Sequence, residues 1–454
     1  MEPDLMSSEL IERYSKPVPR YTSYPTAPHF HEGIDNTVYR GWLEQLPDDA
    51  ALSLYIHVPY CDRLCWFCGC HTKQVKRYEP ITTYLRALHS EIRAVAGMLG
   101  GRGRVVALHL GGGSPSMLTP QDFGALNGLL RASFTFADDA EISIEIDPND
   151  MDESRYDALA SIGVTRVSIG VQDFDHQVQL AINRLQTFEQ TKAVVDAMRA
   201  RGVRSVNLDV LYGLPHQTID KVRKTIELAL QLDPDRLALF GYAHVPWIKT
   251  HQRMIDETTL PSAQSRFEQA RAAAGQIVAA GYDAIGIDHF AKPADRLAVA
   301  ARSGRLHRNF QGYTTDAPQA LLGFGASAIG QLPQGYVQNT VPTGEYQRQV
   351  AASGTAIARG IALSEEDRLR AYVIERLMCD FAVSRSDLHR LFGHAAASIL
   401  GEMQLAIAFD TDGLTEMDGD VFRIRPEGRP FVRSVAAAFD SYLKVGGARY
   451  SMAV

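Results

Sequence analysis

Residues 53–71 read SLYIHVPYCDRLCWFCGCH, and the reading of this stretch decides the fold. A short apolar run reads as a strand, Pro59 stops it, and C-x3-C-x2-C-x-C follows in a loop. Cys61, Cys65 and Cys68 stand at offsets 0, 4 and 7, from which three thiolates can converge on one cluster. Three ligands on a four-iron cube leave one iron without a protein thiolate, and a substrate can occupy it. Two blander readings compete. A structural zinc site would close a tetrahedron, usually from two separated C-x2-C pairs. A redox pair would need only Cys65 and Cys68. Cys61 argues against the redox pair, while Cys70, as a fourth thiol, keeps zinc open.

Four of the five cysteines fall within ten residues, and packing gives no reason for that. Nor is five in 454 residues a disulfide framework. The fifth, Cys379, lies in an apolar helical stretch from Tyr372 to Phe381, where a buried thiol acts as a small hydrophobe. The length suggests about two or three domains. A formal net charge of -7 argues against general affinity for nucleic acid or anionic lipid. Met1 to Tyr14 lack the apolar core of a signal peptide, and no apolar run approaches the roughly 18 residues that span a bilayer. The chain is therefore expected to be cytoplasmic, with no membrane span, and to act as a monomer.

Working outward, apolar or β-branched runs recur at 52–58, 105–110, 141–147, 164–171, 204–211 and 236–243. Stretches of helical period, such as 79–99, 186–202 and 218–232, lie between them. Strands alternating with helices predict parallel βαβ units, and six of them fit a (β/α) barrel, open or closed. A seventh run, Asp283 to Phe290, is expected to extend the sheet. The alternation also predicts which face is which. Ile142, Ile144 and Ile146 oppose Glu141, Ser143, Glu145 and Asp147; Val167, Ile169 and Val171 oppose Ser168, Gly170 and Gln172; Val206, Leu208 and Val210 oppose Asn207 and Asp209. One face is apolar, toward helices, and the other lines a polar lumen. Glu145, Gln172 and Asp209 fall near strand C-termini, where barrel sites are built.

Before the barrel, residues 16–30 (KPVPRYTSYPTAPHF) have no period and read as an extended arm. Tyr21, Tyr24 and Phe30 are its anchors for docking. After it, Ser364 with Asp367 forms a capping box before Glu365–Phe381, Ser384 starts a second helix, and Gly413 to Arg425 reads as a hairpin around Asp418-Gly419. Helix, helix and hairpin suggest a winged helix. With 11 Lys/Arg against 14 Asp/Glu over 361–454, the segment has the wrong sign for phosphate and reads as a lid or structural domain. The expected domains are an arm (1–35), a barrel (36–360) and a small, mostly helical, winged-helix-like C-terminal domain (361–454).

C-x3-C-x2-C after a first barrel strand resembles the radical S-adenosylmethionine superfamily, with Phe67 as the aromatic before the third ligand. Gly111-Gly112-Gly113-Ser114-Pro115, after the second strand, is similar to that family's turn for the methionine amino group; glycine lets backbone approach a ligand closely. The likeness extends further. PRYTSYPTA (19–27), HLGGGSPS, EIDP, GVQDF, INRLQT, DVLYGLP, GYAHVP, HRNFQGYTT (307–315) and GASAIG together resemble the oxygen-independent coproporphyrinogen III oxidases.

That resemblance implies a fold of the radical S-adenosylmethionine type, a partial (β/α)6 barrel, and a haem-biosynthesis activity. Two propionates of coproporphyrinogen III would be oxidatively decarboxylated to vinyls, giving protoporphyrinogen IX. A [4Fe–4S] cluster on Cys61, Cys65 and Cys68 would cleave S-adenosylmethionine to a 5′-deoxyadenosyl radical. Two molecules of S-adenosylmethionine are implied. The first matches Tyr55, Gly112, Glu145 and Ile329; the second matches Phe67, Gly113, Ser114, Gln172, Arg184, Asp209 and Ala243. An electron donor of flavodoxin or ferredoxin type and an electron acceptor are the implied partners. Cys70 resembles the family's extra, non-ligand cysteine. His57 and Tyr60 read equally well as packing around the cluster loop. The alternative is a haem chaperone of the same superfamily without oxidase activity. Those relatives lack the extra cysteine and the long arm, and both are present here.

Overall fold

The structure, a computed structural model, describes residues 8–443 and Tyr450. Six strands run parallel and pair in chain order: β1 (Ala51–Val58), β2 (Arg104–Gly112), β3 (Thr135–Ile146), β4 (Arg166–Gln172), β5 (Ser205–Tyr212) and β6 (Arg236–Gly241). Between and after them come helices α1 (Glu79–Leu99), α2 (Pro120–Ser133), α3 (Glu153–Ser161), α4 (Phe188–Ala200), α5 (Ile219–Gln231) and α6 (Ala263–Ala279). Local chemistry sets where the helices begin. Thr119, Asp152, Thr187, Thr218 and Ser262 each cap one by accepting a backbone N–H, and Thr187 with Gln190 completes a capping box.

The expected alternation sorts the side chains. Ile142, Ile144, Ile146, Val167, Ile169, Val206, Leu208 and Val210 are buried with Tyr84, Leu88 and Ile92 of α1 in one core. The polar face is left to the lumen. The run at 283–290 does extend the sheet, but as an antiparallel hairpin, β7 (Asp283–Ile285) and β8 (His289–Ala291), with β8 on β6. On the other edge β9 (Ala320–Phe324) lies parallel to β1, followed by antiparallel β10 (Ile329–Leu332), β11 (Gly335–Asn339) and β12 (Ile357–Ala362). The order is β12-β11-β10-β9-β1-β2-β3-β4-β5-β6-β8-β7. With β12 and β7 as edges, the barrel is open.

The C-terminal segment follows its expected signals. Ser364 and Asp367 box the helix Glu365–Asp380, Ser384 caps Arg385–Phe392, and Thr415–Asp418 pairs with Val421–Ile424 in a hairpin that Ala382–Ser384 joins as a third strand. Cys379 is buried among Ile285, Leu297 and Tyr313, as a small hydrophobe would be. Tyr21 and Tyr24 of the arm are buried in the C-terminal core, and Phe30 stacks on Tyr336 with ring centres 5.7 Å apart. The arm's first seven residues, and 444–449 and 451–454 of the C-terminal segment, lie outside the described residues. One expectation needs correction. Among the described residues Arg385–Ala408 is long and apolar enough, by length and composition, to cross a membrane. It is two helices parted by a 3-10 turn at Gly393–Ala395, and its Leu388, Ile399 and Met403 are buried in the C-terminal core.

Glu91 ties α1 to the added edge strands. Its buried carboxylate accepts from Gly325 N–H (2.8 Å), Asn339 Nδ2 (2.6 Å) and Tyr346 Oη (2.7 Å). Burial pushes the carboxyl up to about 7, against those three donors. The folded state therefore holds a proton there that the unfolded chain has already lost. That contribution is complete below the unfolded value and is lost as pH rises through about 7. Glu91→Ala should lower unfolding free energy by about 3 kcal/mol or more, because three buried donors lose their acceptor. In denaturant titrations the gap between the two proteins should be widest below about pH 4.5 and should narrow as pH rises from there through about 7.

Candidate functional site

The site is assembled at the C-terminal ends of β1 to β5. After Pro59, Tyr60–Cys61 pairs with Lys73–Gln74, which closes residues 62–72 into a loop with a tied neck. The glycine turn after β2 grips that neck: Gly113 N–H donates to Val58 O (2.8 Å) and Ser114 N–H to Tyr60 O (2.7 Å). A Cβ on Gly113 would lie 2.6 Å from the Tyr60 carbonyl oxygen, so only glycine fits. From the far side Ile182 O accepts from Trp66 N–H (2.9 Å), and Asn183 donates to Leu64 O (3.0 Å). His251 reaches Cys68 O (2.8 Å), Gln252 donates to Phe67 O (3.0 Å), and Lys249 to Cys70 O (2.9 Å). The loop is held through its main chain, which leaves the sulfurs for a ligand.

Those sulfurs face one cavity of about 210 Å³. Cys61, Cys65, Cys68 and Cys70 line it with Phe67, Gly112, Gly113, Ser114, Glu145, Gln172, Arg184 and Asp209. Tyr55, Ala243 and Ile329 do not. Tyr55 hydrogen-bonds His57 Nδ1 at 2.9 Å and stacks on His109. Ala243 is tied to Phe67 through Gln252, which donates to both carbonyls. Ile329 opens β10 and packs with Phe30, Phe310 and Tyr336. His57 and Tyr60 serve the loop's surroundings: His57 Nε2 meets His71 O at 2.9 Å, and Tyr60 stands edge-on to Tyr84.

The cavity's two walls differ electrically. On one, Arg184 donates to Asp147 (3.0 Å), Gly170 O (2.9 Å) and Gln186 (3.1 Å), and its Nη1 lies 3.6 Å from Cys65 Sγ. Arg184 Nε is buried with no hydrogen-bond partner. On the other, Glu145 accepts from Gly112 N–H (3.0 Å) and faces His109 Nε2 (3.5 Å). Burial alone would raise the Glu145 carboxyl, but His109 and Gly112 outweigh it and hold it below its ordinary value. Burial raises Asp209 against donors from Ser168 and Asn207, both at 2.8 Å, with Glu145 adding to the rise. Gln172 sits at φ 66° beside a register shift in β4, a left-handed conformation that re-aims its side chain.

The donor set fits an anionic thiolate cluster. Burial pushes Cys61 up to about 12 and raises Cys65, which Arg184 pulls back; Cys68 is lowered, first by the hydrogen bond from Cys70. A bound metal would take these sulfurs as thiolates and release their protons. Among the described residues no three His, Cys, Asp or Glu side chains close around a single ion.

Sequence reasoning passed over Asp147, Ser168 and Gly170 as site residues. All three line the cavity. Their signal was present: Ser168 and Gly170 lie on the polar face of β4, and Asp147 directly follows β3, each near a residue that was singled out. Asp150, hydrogen-bonded to Ser114 and Ser116, had none.

The Radical SAM superfamily profile matches residues 55–229. Over 99% of the chain and the whole of the relative, the sequence is 48% identical to the oxygen-independent coproporphyrinogen III oxidase of Bradyrhizobium diazoefficiens. With that of Paracoccus denitrificans it is 45% identical over 96% of each chain. The solved coproporphyrinogen III oxidase of Escherichia coli, a radical SAM enzyme, superposes with a TM-score of 0.90 at 38% identity, over 97% of this chain and all of that one.

Gly113→Ala should force the loop neck off the glycine turn, an overpacking that costs about 1–3 kcal/mol locally. Iron retained per chain after anaerobic reconstitution should fall well below the unmodified protein. Gly69→Ala, where an added Cβ meets nothing within 4 Å, should retain iron as before.

Proposed function

The chain belongs to the oxygen-independent coproporphyrinogen III oxidases of the radical S-adenosylmethionine superfamily, and from that membership we infer how its cavity serves the reaction. The reaction is the oxidative decarboxylation of two propionate side chains of coproporphyrinogen III to vinyl groups, giving protoporphyrinogen IX. The enzyme uses a [4Fe–4S] cluster and S-adenosylmethionine. When bound, these supply the one-electron chemistry that takes a hydrogen atom from an unactivated carbon. The haem-chaperone alternative is not favoured, because the relatives matched over nearly the whole chain are oxidases.

In this reading Cys61, Cys65 and Cys68 hold the cluster. The observation that carries it is their opening onto one cavity beside Arg184, whose charge offsets that of the thiolates. Two S-adenosylmethionine molecules bind. Gly112 and Glu145 serve the one on iron, and Phe67, Gly113, Ser114, Gln172, Arg184 and Asp209 serve the second; the resemblance adds Tyr55 and Ile329 to the first and Ala243 to the second, although these three are not among the cavity's lining residues. The two unlike walls support this division. Glu145 is held ionised and suits an ammonium or hydroxyls, whereas Arg184, its other donors engaged, keeps a buried Nε–H for a carboxylate. A flavodoxin- or ferredoxin-like protein donates electrons, and the enzyme works as a monomer.

Anaerobic reconstitution followed by a coproporphyrinogen assay tests the reading. Cys61→Ala, Cys65→Ala and Cys68→Ala should each abolish bound iron and product, while Cys70→Ala and Cys379→Ala keep the iron. Iron lost in Cys70→Ala but kept in Cys61→Ala would overturn the ligand assignment.

Ligand counting tests the second site. The unmodified enzyme should bind two equivalents of S-adenosylmethionine. Asp209→Ala or Arg184→Ala should reduce this to about one, since losing an anchor for a buried charge costs about 2–5 kcal/mol. Glu145→Ala should instead weaken the molecule on iron and suppress cleavage. One equivalent in the unmodified enzyme, at saturation, would leave no second site.

A further inference from the structure

The two segments that hold the cysteine loop from outside, 180–185 and 247–254, both turn apolar side chains to solvent. Leu180 and Leu185 on the first are 53% and 47% exposed. Trp247, Ile248 and Met254 on the second are 39%, 59% and 60% exposed. These are five of the eleven large hydrophobics exposed among the described residues, so such surface gathers around one loop. The main-chain contacts make it continuous with the thiols: Ile182 and Asn183 touch residues 64 and 66, and Lys249, His251 and Gln252 touch residues 67, 68 and 70.

Charge at this face runs against the rest of the molecule. Residues 62–77 and 247–254 carry six lysines and arginines, in a chain of net charge -7. Their single carboxylate, Asp62, is paired with Arg63 at 2.8 Å. Lys73, Lys76, Arg77 and Arg253 are exposed. Exposed cations thus share these two segments with exposed apolar side chains, with exposed Asp256 and Glu257 following directly, the composition of a partner interface with an apolar part and a charged rim.

We propose that this face docks a small acidic one-electron carrier protein with a flavin or iron–sulfur centre. The proposal rests on the reading of Cys61, Cys65 and Cys68 as cluster ligands. Each S-adenosylmethionine cleaved needs one electron from outside; the carrier is oxidised by one electron and the cluster reduced by one. Electron transfer weakens steeply with distance, so the carrier must sit on the surface nearest the thiols. The exposed cations attract an anionic partner over about 10 Å at ordinary salt and orient the encounter, while the apolar side chains exclude water once it is seated.

The test uses the reconstituted holoenzyme and an isolated acidic flavodoxin. Binding is measured by anaerobic calorimetry, and cluster reduction by stopped-flow absorbance, with the reduced flavodoxin and separately with dithionite. Ile248→Glu combined with Arg253→Glu should weaken flavodoxin binding at least about tenfold and slow reduction by it in proportion. Dithionite-driven product formation should be unchanged, and the unmodified enzyme should lose affinity as salt rises. Lys224→Glu on α5 should bind as the unmodified enzyme does. Equal binding by the double variant, no flavodoxin binding by the unmodified enzyme, or binding to anionic vesicles in its place would overturn the proposal. Dithionite-driven turnover reports the cysteine reading separately, so its survival alongside any of these results confines the failure to the docking face.

Discussion

The close approach of Gly113 to the Tyr60 backbone is the contact on which the site depends. A loop carrying reactive thiols cannot be anchored by those thiols, because they must stay available to a ligand. Its position comes largely from hydrogen bonds to its main chain, and at the neck these come from another backbone that must approach within about 3 Å. Gly113 is where that happens, 2.6 Å from the Tyr60 carbonyl for a hypothetical Cβ. The Tyr60–Cys61 and Lys73–Gln74 pairing then ties the neck, and residues 182–183 and 249–252 hold the rest. The parallel sheet contributes the common origin, since β1 and β2 are neighbours and deliver both backbones to one end.

Beyond that contact the strand period does the chemical sorting. An all-apolar parallel sheet would have nothing with which to receive a charged ligand. Here each of β3, β4 and β5 spends one face on the core and the other on polar groups. Their terminal members meet at the thiols: Glu145, Gln172 and Asp209. Carboxylates so enclosed are costly unless paired or supplied with donors. Glu145 has His109 and Gly112, Asp147 has Arg184, and Asp209 has Ser168 and Asn207. Among the described residues that line the cavity, Arg184 keeps a buried donor, Nε, unmatched.

How much of this was legible follows from the range of the signal. The six strands, the caps at Ser364 and Ser384 and the hairpin at 413–425 are written in neighbouring residues, so they could be read. Three thiolates at offsets 0, 4 and 7 are likewise local. β9 to β12 could not be read, because they are four to six residues long and interrupted by Gly and Pro, and their pairing is decided by distant partners such as Glu91. The hairpin of β7 and β8 was visible as an apolar run, but Gly286 at φ 56° hides a reversal inside it. Segment 247–254 carries no period at all, and its grip on the cysteine loop exists only in three dimensions.

The arm raises the same point at larger scale. Its residues 16–30 have no local reason to fold, yet Tyr21 and Tyr24 are buried in the C-terminal core, with Tyr21 donating to Asp440 at 3.1 Å. Arg433, itself buried, donates to the Val18 and Pro19 carbonyls and fixes the chain just upstream. Arg20 then reaches Gly241 O at 3.2 Å, at the C-terminal end of β6. Anchored on one body and touching the rim of the other, the arm crosses the end of the barrel at which the thiols lie. An irregular strap suits that place better than a helix would. Its carbonyls are left to be satisfied by side chains such as Arg433, so its course is set by the surfaces it joins and not by its own hydrogen bonds.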